Sequence, residues 1–530
     1  MLRPSFSHLL TAGLALGLTG SAAAFQSTQF GSQNIITSAA TQVAEIAPAD
    51  LDGDGDIDVA AALTGSDRVV WYRRNFNGTF TQRILDSSMD NVTSVHARDL
   101  DGDGDIDLIA GSPGAFFPPG NGNALRVYRN NGGGNFTTIT IPQQVPGIWN
   151  LTTDDIDGDG DPDIVIGLGA IFDQIGWFPN QGNLNFGGVR AISTGSGTSS
   201  EPRDVHTADV DGDGDMDVLA CNYLGNDVSW YRNNNGVGTS WTRVFISSAS
   251  GARNVRTEDM NGDGILDLVT TSVLDRTLGW FRGTGGGSFT SRQVISQQNN
   301  EYRGLHLVDV DLDGDMDVFT TSETNNRVDW YENLGGGNFS TSHVITNAMT
   351  GANHVNSADM DGDGVPDIVA SAPGNNRITW YENEFDPNAL GFNYCTANAN
   401  SSGFPGVMSA TGSNVVADND LTIEASLLPA NSFGFFLVSQ TQFFLPNPGG
   451  SQGNLCIAGD IGRYVGPGQI QNSGAAGTFS LLLDLTQIPQ PTGFVSAQVG
   501  DTWNWTTWFR DSIFGIPVSN FTDGFEITFQ

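Results

Sequence analysis

Seven short aspartate-rich stretches carry the clearest chemistry in this chain. The first reads Asp50-Leu51-Asp52-Gly53-Asp54-Gly55-Asp56-Ile57-Asp58, and the others begin at Asp99, Asp155, Asp209, Asp259, Asp309 and Asp359. Carboxylates fall at positions 1, 3, 5 and 9 of the nonapeptide, with Asn261 at position 3 in the fifth copy; glycine at position 6 permits a sharp turn, and position 7 offers its backbone carbonyl. Carboxylates a few ångströms apart repel one another strongly unless a cation sits between them. All-oxygen donors at flexible spacing suit a hard cation, and Ca²⁺ better than Mg²⁺.

The expected calcium ligands are Asp50, Asp52, Asp54, Asp56 and Asp58 in the first copy and Asp99, Asp101, Asp103, Asp105 and Asp107 in the second. The third offers Asp155, Asp157, Asp159, Asp161 and Asp163, and the fourth Asp209, Asp211, Asp213, Asp215 and Asp217. The fifth has Asp259, Asn261, Asp263, Ile265 and Asp267. The last two supply Asp309, Asp311, Asp313, Asp315 and Asp317, then Asp359, Asp361, Asp363, Val365 and Asp367. Ile265 and Val365 sit at position 7, where only the carbonyl is needed, and Leu312 replaces a non-ligand glycine at position 4. Up to seven structural Ca²⁺ ions would cancel 14 of the 37 formal negative charges. The acidity therefore belongs largely to these sites.

The elements that position the loops repeat with them. The motifs are 49, 56, 54, 50, 50 and 50 residues apart. A short run such as Val205-His206-Thr207-Ala208 precedes each, and an apolar run such as Val218-Leu219-Ala220 follows. An aromatic pair comes about 21 residues after the motif begins, as in Trp230-Tyr231 or Trp330-Tyr331, with Val127-Tyr128 in the second copy. A Gly/Asn-rich turn, a Phe and a last apolar run complete the unit. Four short strands in some 50 residues, without helical periodicity, predict a propeller blade, and seven copies predict a closed all-β ring. The seventh copy lacks its fourth strand, whereas Phe30 precedes Asp50 by the same 20 residues that separate Phe289 from Asp309. Residues Phe30 to Ile36 are thus expected to close the last blade and cover its edge.

With those residues in place, 25–386 resemble the FG-GAP/VCBS repeat family, related to the propeller of integrin α-subunits; Ser112-Pro113-Gly114 and Ala372-Pro373-Gly374 are family touches. The resemblance implies that the Asp loop joins the first and second strands of a blade and binds calcium. It implies ligand recognition or adhesion less directly, because propellers host many functions.

Residues 1–24 read as a secretory signal, with Arg3, the apolar stretch Leu9 to Leu18, and Ala22-Ala23-Ala24 before the cleavage point. A secreted or surface-associated location follows, without membrane insertion. The formal charge of −37, with 22 arginines and no lysine, argues against nucleic acid as a partner. Cys395 and Cys456 form the natural disulfide, and Cys221 reads as a buried thiol.

Six residues before each motif stand Ala44, Thr93, Trp149, Arg203, Arg253, Arg303 and Asn353. They would ring the face opposite the calcium loops. Arg203, Arg253 and Arg303 either bind an anion there, with Trp149 and Phe116-Phe117 as an apolar wall, or pair with Glu201, Glu258 and Glu301. His96, His206 and His306 share one repeat position and are expected to pack rather than hold a transition metal. From about Pro387 short alternating runs predict a β-sandwich-like domain over 387–530, with Trp503, Trp505 and Trp508 on one strand face. The expected function is extracellular recognition or adhesion by a monomer that binds a glycan or protein and is not an enzyme. A propeller-type polysaccharide lyase or hydrolase, and a purely structural surface protein, are the alternatives.

Overall fold

The computed structural model describes residues 30–530 except 115–123, 142, 170–172, 194–199, 298–300, 386–389, 396 and 514. The chain divides into two compact units, Gln29–Pro387 and Asn388–Gln530. The expected signal segment lies outside the described residues.

The first unit contains seven four-stranded antiparallel sheets, each a simple meander. In blade four the strands are Pro202–Ala208, Asp217–Asn222, Asp227–Asn233 and Trp241–Ser248, from the axis outward. Every second strand begins at position 9 of its Asp motif and is buried along its whole length, as in Asp217–Asn222. Such a strand has apolar neighbours on both faces, which is why its sequence runs apolar instead of alternating.

The cores lie between the blades rather than within them. Val210, Leu219, Val228 and Trp230 of blade four pack with Val255, Leu268 and Phe281 of blade five. Equivalent clusters join every neighbouring pair. One of them joins Val369 and Ile378 of blade seven to Val43, Ile46 and Val59 of blade one, which closes the ring. Phe30–Thr37 pairs antiparallel with Arg377–Asn383 as the outer strand of the seventh blade. Its Phe30 ring meets Phe319 and Trp330 edge-on at 6.0 and 5.9 Å.

A second device links consecutive blades. Two residues beyond the aromatic pair, Asn233 donates its side-chain amide to the carbonyl of Ile156 in the preceding blade's Asp loop. Asn130, Asn180, Asn333 and Asn383 make the same bond to Leu51, Leu100, Met260 and Val310.

The second unit pairs a large mixed-length sheet, ordered Phe392–Cys395, Gly524–Thr528, Thr502–Ile513, Phe433–Ser439 and Gly462–Arg463, with a three-stranded sheet of Val407–Gly412, Leu421–Ser426 and Phe479–Leu483. Met408, Ile423 and Phe479 from the small sheet share one core with Phe436, Trp505 and Ile527 from the large one. A disulfide joins Cys395 to Cys456. Trp503 and Trp505 are core residues, but Trp508 is not on their face. It lies an odd number of residues from Trp505 on a continuous strand, so its ring points to the other side and packs on Phe435 at 5.2 Å.

Candidate calcium loops and axial mouth

Each Asp motif forms the connection between first and second strands, and backbone amides fix most of its carboxylates. In blade four Asp209 accepts N–H bonds from Gly212, Asp213 and Gly214 at 2.8, 3.0 and 2.9 Å. Asp213 accepts from Asp215, the position-7 residue, at 3.1 Å. That bond uses only the backbone, which explains why Ile265 and Val365 serve equally at position 7 in their own blades. Asp217 accepts from Val210 through one oxygen and from Asn233 through the other, at 3.2 and 2.7 Å. In all seven blades the position-9 carboxylate takes such a bond from a backbone amide at the end of the third strand or two residues past it, the donors being Arg74, Asn130, Asn180, Asn233, Gly283, Asn333 and Asn383.

Position 3 is different. Asp52, Asp101, Asp157, Asp211 and Asp311 each bury a carboxylate oxygen that has no hydrogen-bond donor. In blades one to four, oxygens of positions 1, 3 and 9 lie within 4.8 Å of one another, as do those of Asp309, Asp311 and Asp313 in blade six. Burial, aided by the adjacent carboxylates, pushes Asp58, Asp163, Asp217 and Asp367 up to about 7 and Asp317 to about 8. A buried oxygen without a hydrogen-bond donor, in a crowd of carboxylates, fits a hard cation. Positions 1, 3, 5 and 9 with the position-7 carbonyl would hold it, and the ion would supply charge cancellation. Blade five departs from the pattern, since Asn261 donates its amide to Asp267 at 2.6 Å.

Sequence reasoning missed the residue directly after the aromatic pair. Arg73, Arg129, Arg232 and Arg282 reach from that place to their own loops, Arg129 meeting Asp101 at 2.8 Å and Asp103 at 3.1 Å. Pro179 occupies the place in blade three, where Arg190 of the outer strand approaches Asp157 at 3.6 Å instead. Blades six and seven carry Glu332 and Glu382 there. Aligning the repeats at this column would have exposed Arg in four blades against Glu in two; with Arg190, a resident guanidinium shares the carboxylates in five loops, and a further carboxylate stands in its place in two.

On the opposite face, Ala44, Thr93, Trp149, Arg203, Arg253, Arg303 and Asn353 all line one open cavity. A local irregularity in strand pairing produces this. The register between first and second strands slips at this residue in blades one, three, four, five and six, leaving Ala44, Trp149, Arg203, Arg253 and Arg303 without a ladder partner. A bulge of this kind re-aims a side chain away from the sheet.

The three arginines are not equivalent. Arg203 pairs with Glu201, and its guanidinium lies 3.8 Å from the centre of the Trp149 ring. The Trp149 ring thus stacks under Arg203 while still lining the cavity. Arg303 pairs with Glu323 and lies 3.7 Å from Glu301. Among the described residues Arg253 has neither an ion pair nor a hydrogen bond, and Glu258 does not pair with it. Burial and the flanking Arg303 and Arg203 push it down to about 10, so it stays charged at neutral pH. Phe116 and Phe117 lie outside the described residues.

His206 and His306 bond through Nε2 to Thr257 at 3.0 Å and Ser357 at 2.8 Å. Burial lowers both to about 3, which keeps them neutral. His96 is likewise pushed down by burial. Cys221 is a buried free thiol.

A family model described as FG-GAP-like repeat matches residues 50–110, 115–166, 209–270 and 309–370. The first unit contains four FG-GAP-like repeats. Three of the matched stretches run from an Asp motif into the next blade's second strand, the fourth ends in the second strand of blade three, and all seven blades share one strand order. Among solved structures, the FG-GAP-like chain is similar to an Agrocybe aegerita lectin described as recognising non-reducing terminal N-acetylglucosamine, at 20% identity over 58% of this chain and 81% of that one, with a TM-score of 0.44. It is also similar to BBS1N, solved in complex with ARL6DN, at 10% identity over 68% and 98% of the two chains, with a TM-score of 0.47. No curated protein matches its sequence. No helix among the described residues is long and apolar enough to cross a membrane.

Proposed function

We propose that this FG-GAP-like propeller is a secreted, calcium-loaded recognition protein that binds an extracellular glycan or protein, and that it binds rather than catalyses. The observation that supports the metal is the buried, donorless oxygen at position 3 in five loops. Such an oxygen is costly unless a cation meets it. Calcium at extracellular concentrations, where modules of this kind bind at roughly 10⁻⁴ to 10⁻³ M, would keep the loops filled. The loops then stiffen the inter-blade contacts, because the Asn amide of each following blade bonds to the loop backbone itself. A rigid ring that gathers side chains from every blade at one mouth is a scaffold for binding.

The test is a glycan and extracellular-protein array probed with the mature chain in calcium and again in excess chelator. Retention of a ligand in calcium and its loss in chelator is the expected result. Release of unsaturated or reducing sugar ends from any arrayed polysaccharide would replace the binding reading with an enzymatic one. Retention of nothing under either condition would leave only a structural role.

A further inference from the structure

The axial mouth contains five cationic side chains or potential cations, and four have partners. Arg203 sits on Glu201, Arg303 on Glu323, Arg256 on Asp204 at 2.6 Å, and His354 lies 3.4 Å from Glu45. Among the described residues Arg253, between Arg203 and Arg303, makes no ion pair and no hydrogen bond; Asp204 and Glu323 act on it only at longer range, and it lines the same cavity. A partly desolvated guanidinium between two like charges is an unfavourable arrangement for the empty protein. Any local anion relieves it. A carboxylate does so best, because its two oxygens match the planar guanidinium fork.

The rest of the lining tells which carboxylate. Apart from Ala44 and Trp149, which stacks under Arg203, the cavity wall is polar, and its neutral members are Thr93, Asn150, Asn254 and Asn353. Protein and peptide ligands depend on a buried apolar or aromatic anchor, and this wall has no exposed apolar pocket to receive one. Amides and a hydroxyl around the one unpaired cation, with the lining acids Asp204 and Glu45 already held by Arg256 and His354, suit a ligand rich in hydroxyls that carries one acid group. Resting on the recognition reading above, we infer that the mouth binds an acidic sugar residue, with Arg253 holding the carboxylate and the neighbouring amides the ring hydroxyls.

The experiment is calorimetric titration of the calcium-loaded mature chain with glucuronate and galacturonate, alongside glucose, galactose, acetate and a short oligoglutamate. The account expects a uronate to bind at one site, at least tenfold tighter than its neutral sugar and than acetate. Arg253→Gln should weaken that binding tenfold or more, while Arg83→Gln, on an exposed outer strand, should leave it unchanged. Because Arg253 has no partner, Arg253→Gln should melt at or above the temperature of the parent, and a clear drop would make Arg253 a structural residue and overturn the site. Oligoglutamate binding through Arg253 without uronate binding would overturn the sugar assignment. A ligand found on the array that binds Arg253→Gln as well as the parent would overturn the mouth while leaving the recognition function standing.

Discussion

Removing Phe30 tests how the ring is held shut. The side chain is 8% exposed and sits edge-on to Phe319 and Trp330, 5.9 to 6.0 Å between ring centres, so its loss opens a cavity between blades six and seven. Truncation of a core Phe to Ala costs about 3–5 kcal/mol, and the residual exposure of Phe30 places it near 3. In a unit of this size that is a fall of roughly 5 °C in melting temperature. Differential scanning calorimetry of Phe30→Ala should show it, and Phe76→Ala, a fully exposed side chain, should melt like the parent. Deleting residues 30–37 goes further, since it strips the outer partner from Arg377–Asn383 and leaves an open sheet edge. That variant should aggregate or lose its single cooperative transition. If Phe30→Ala melts with the parent and the deletion unfolds as sharply as the full chain, the closure is wrong.

Asn233→Ala should destabilise the propeller by about 2 kcal/mol, because it removes the donor to the buried Ile156 carbonyl; Asn234→Ala, on the exposed turn, should have almost no effect in the same urea titration. In the second unit burial raises Asp523 to about 7, and it accepts bonds from Met408 and Asn393. A carboxyl raised in the folded state stabilises fully below its unfolded pKa of about 3.9 and loses that contribution as pH climbs through 7. The second unit's melting temperature should therefore fall between pH 5 and pH 8, and Asp523→Asn should flatten the fall.

The repeat made most of the fold legible. Position 9 of the motif starts every second strand because its carboxylate must meet the third-strand amide, so motif spacing and strand order are two expressions of one geometry. The missing fourth strand of the last repeat and the displaced Phe30 were visible for the same reason. The seven rim residues were also readable, since equivalent positions in a ring converge on its axis. Which of the three arginines lacks a partner was not, because pairing depends on rotamers and on acids such as Glu323 from a loop outside that column. The stacking of Trp149 under Arg203 was hidden for a related reason: a ring beside an arginine is as readily covered by it as offered to a ligand. Trp508 failed on simple parity along a strand.

The most direct measurement of the central claim is calcium content against stability. Mature protein dialysed in millimolar calcium and then desalted should carry several calcium ions per chain, approaching seven, by elemental analysis. In excess EGTA the propeller transition should fall steeply, since every site contributes about 1.4 kcal/mol for each tenfold excess of calcium over its Kd. Readdition of calcium, but not of magnesium at the same concentration, should restore it. Protein that carries no bound calcium and melts identically with and without EGTA would contradict the account.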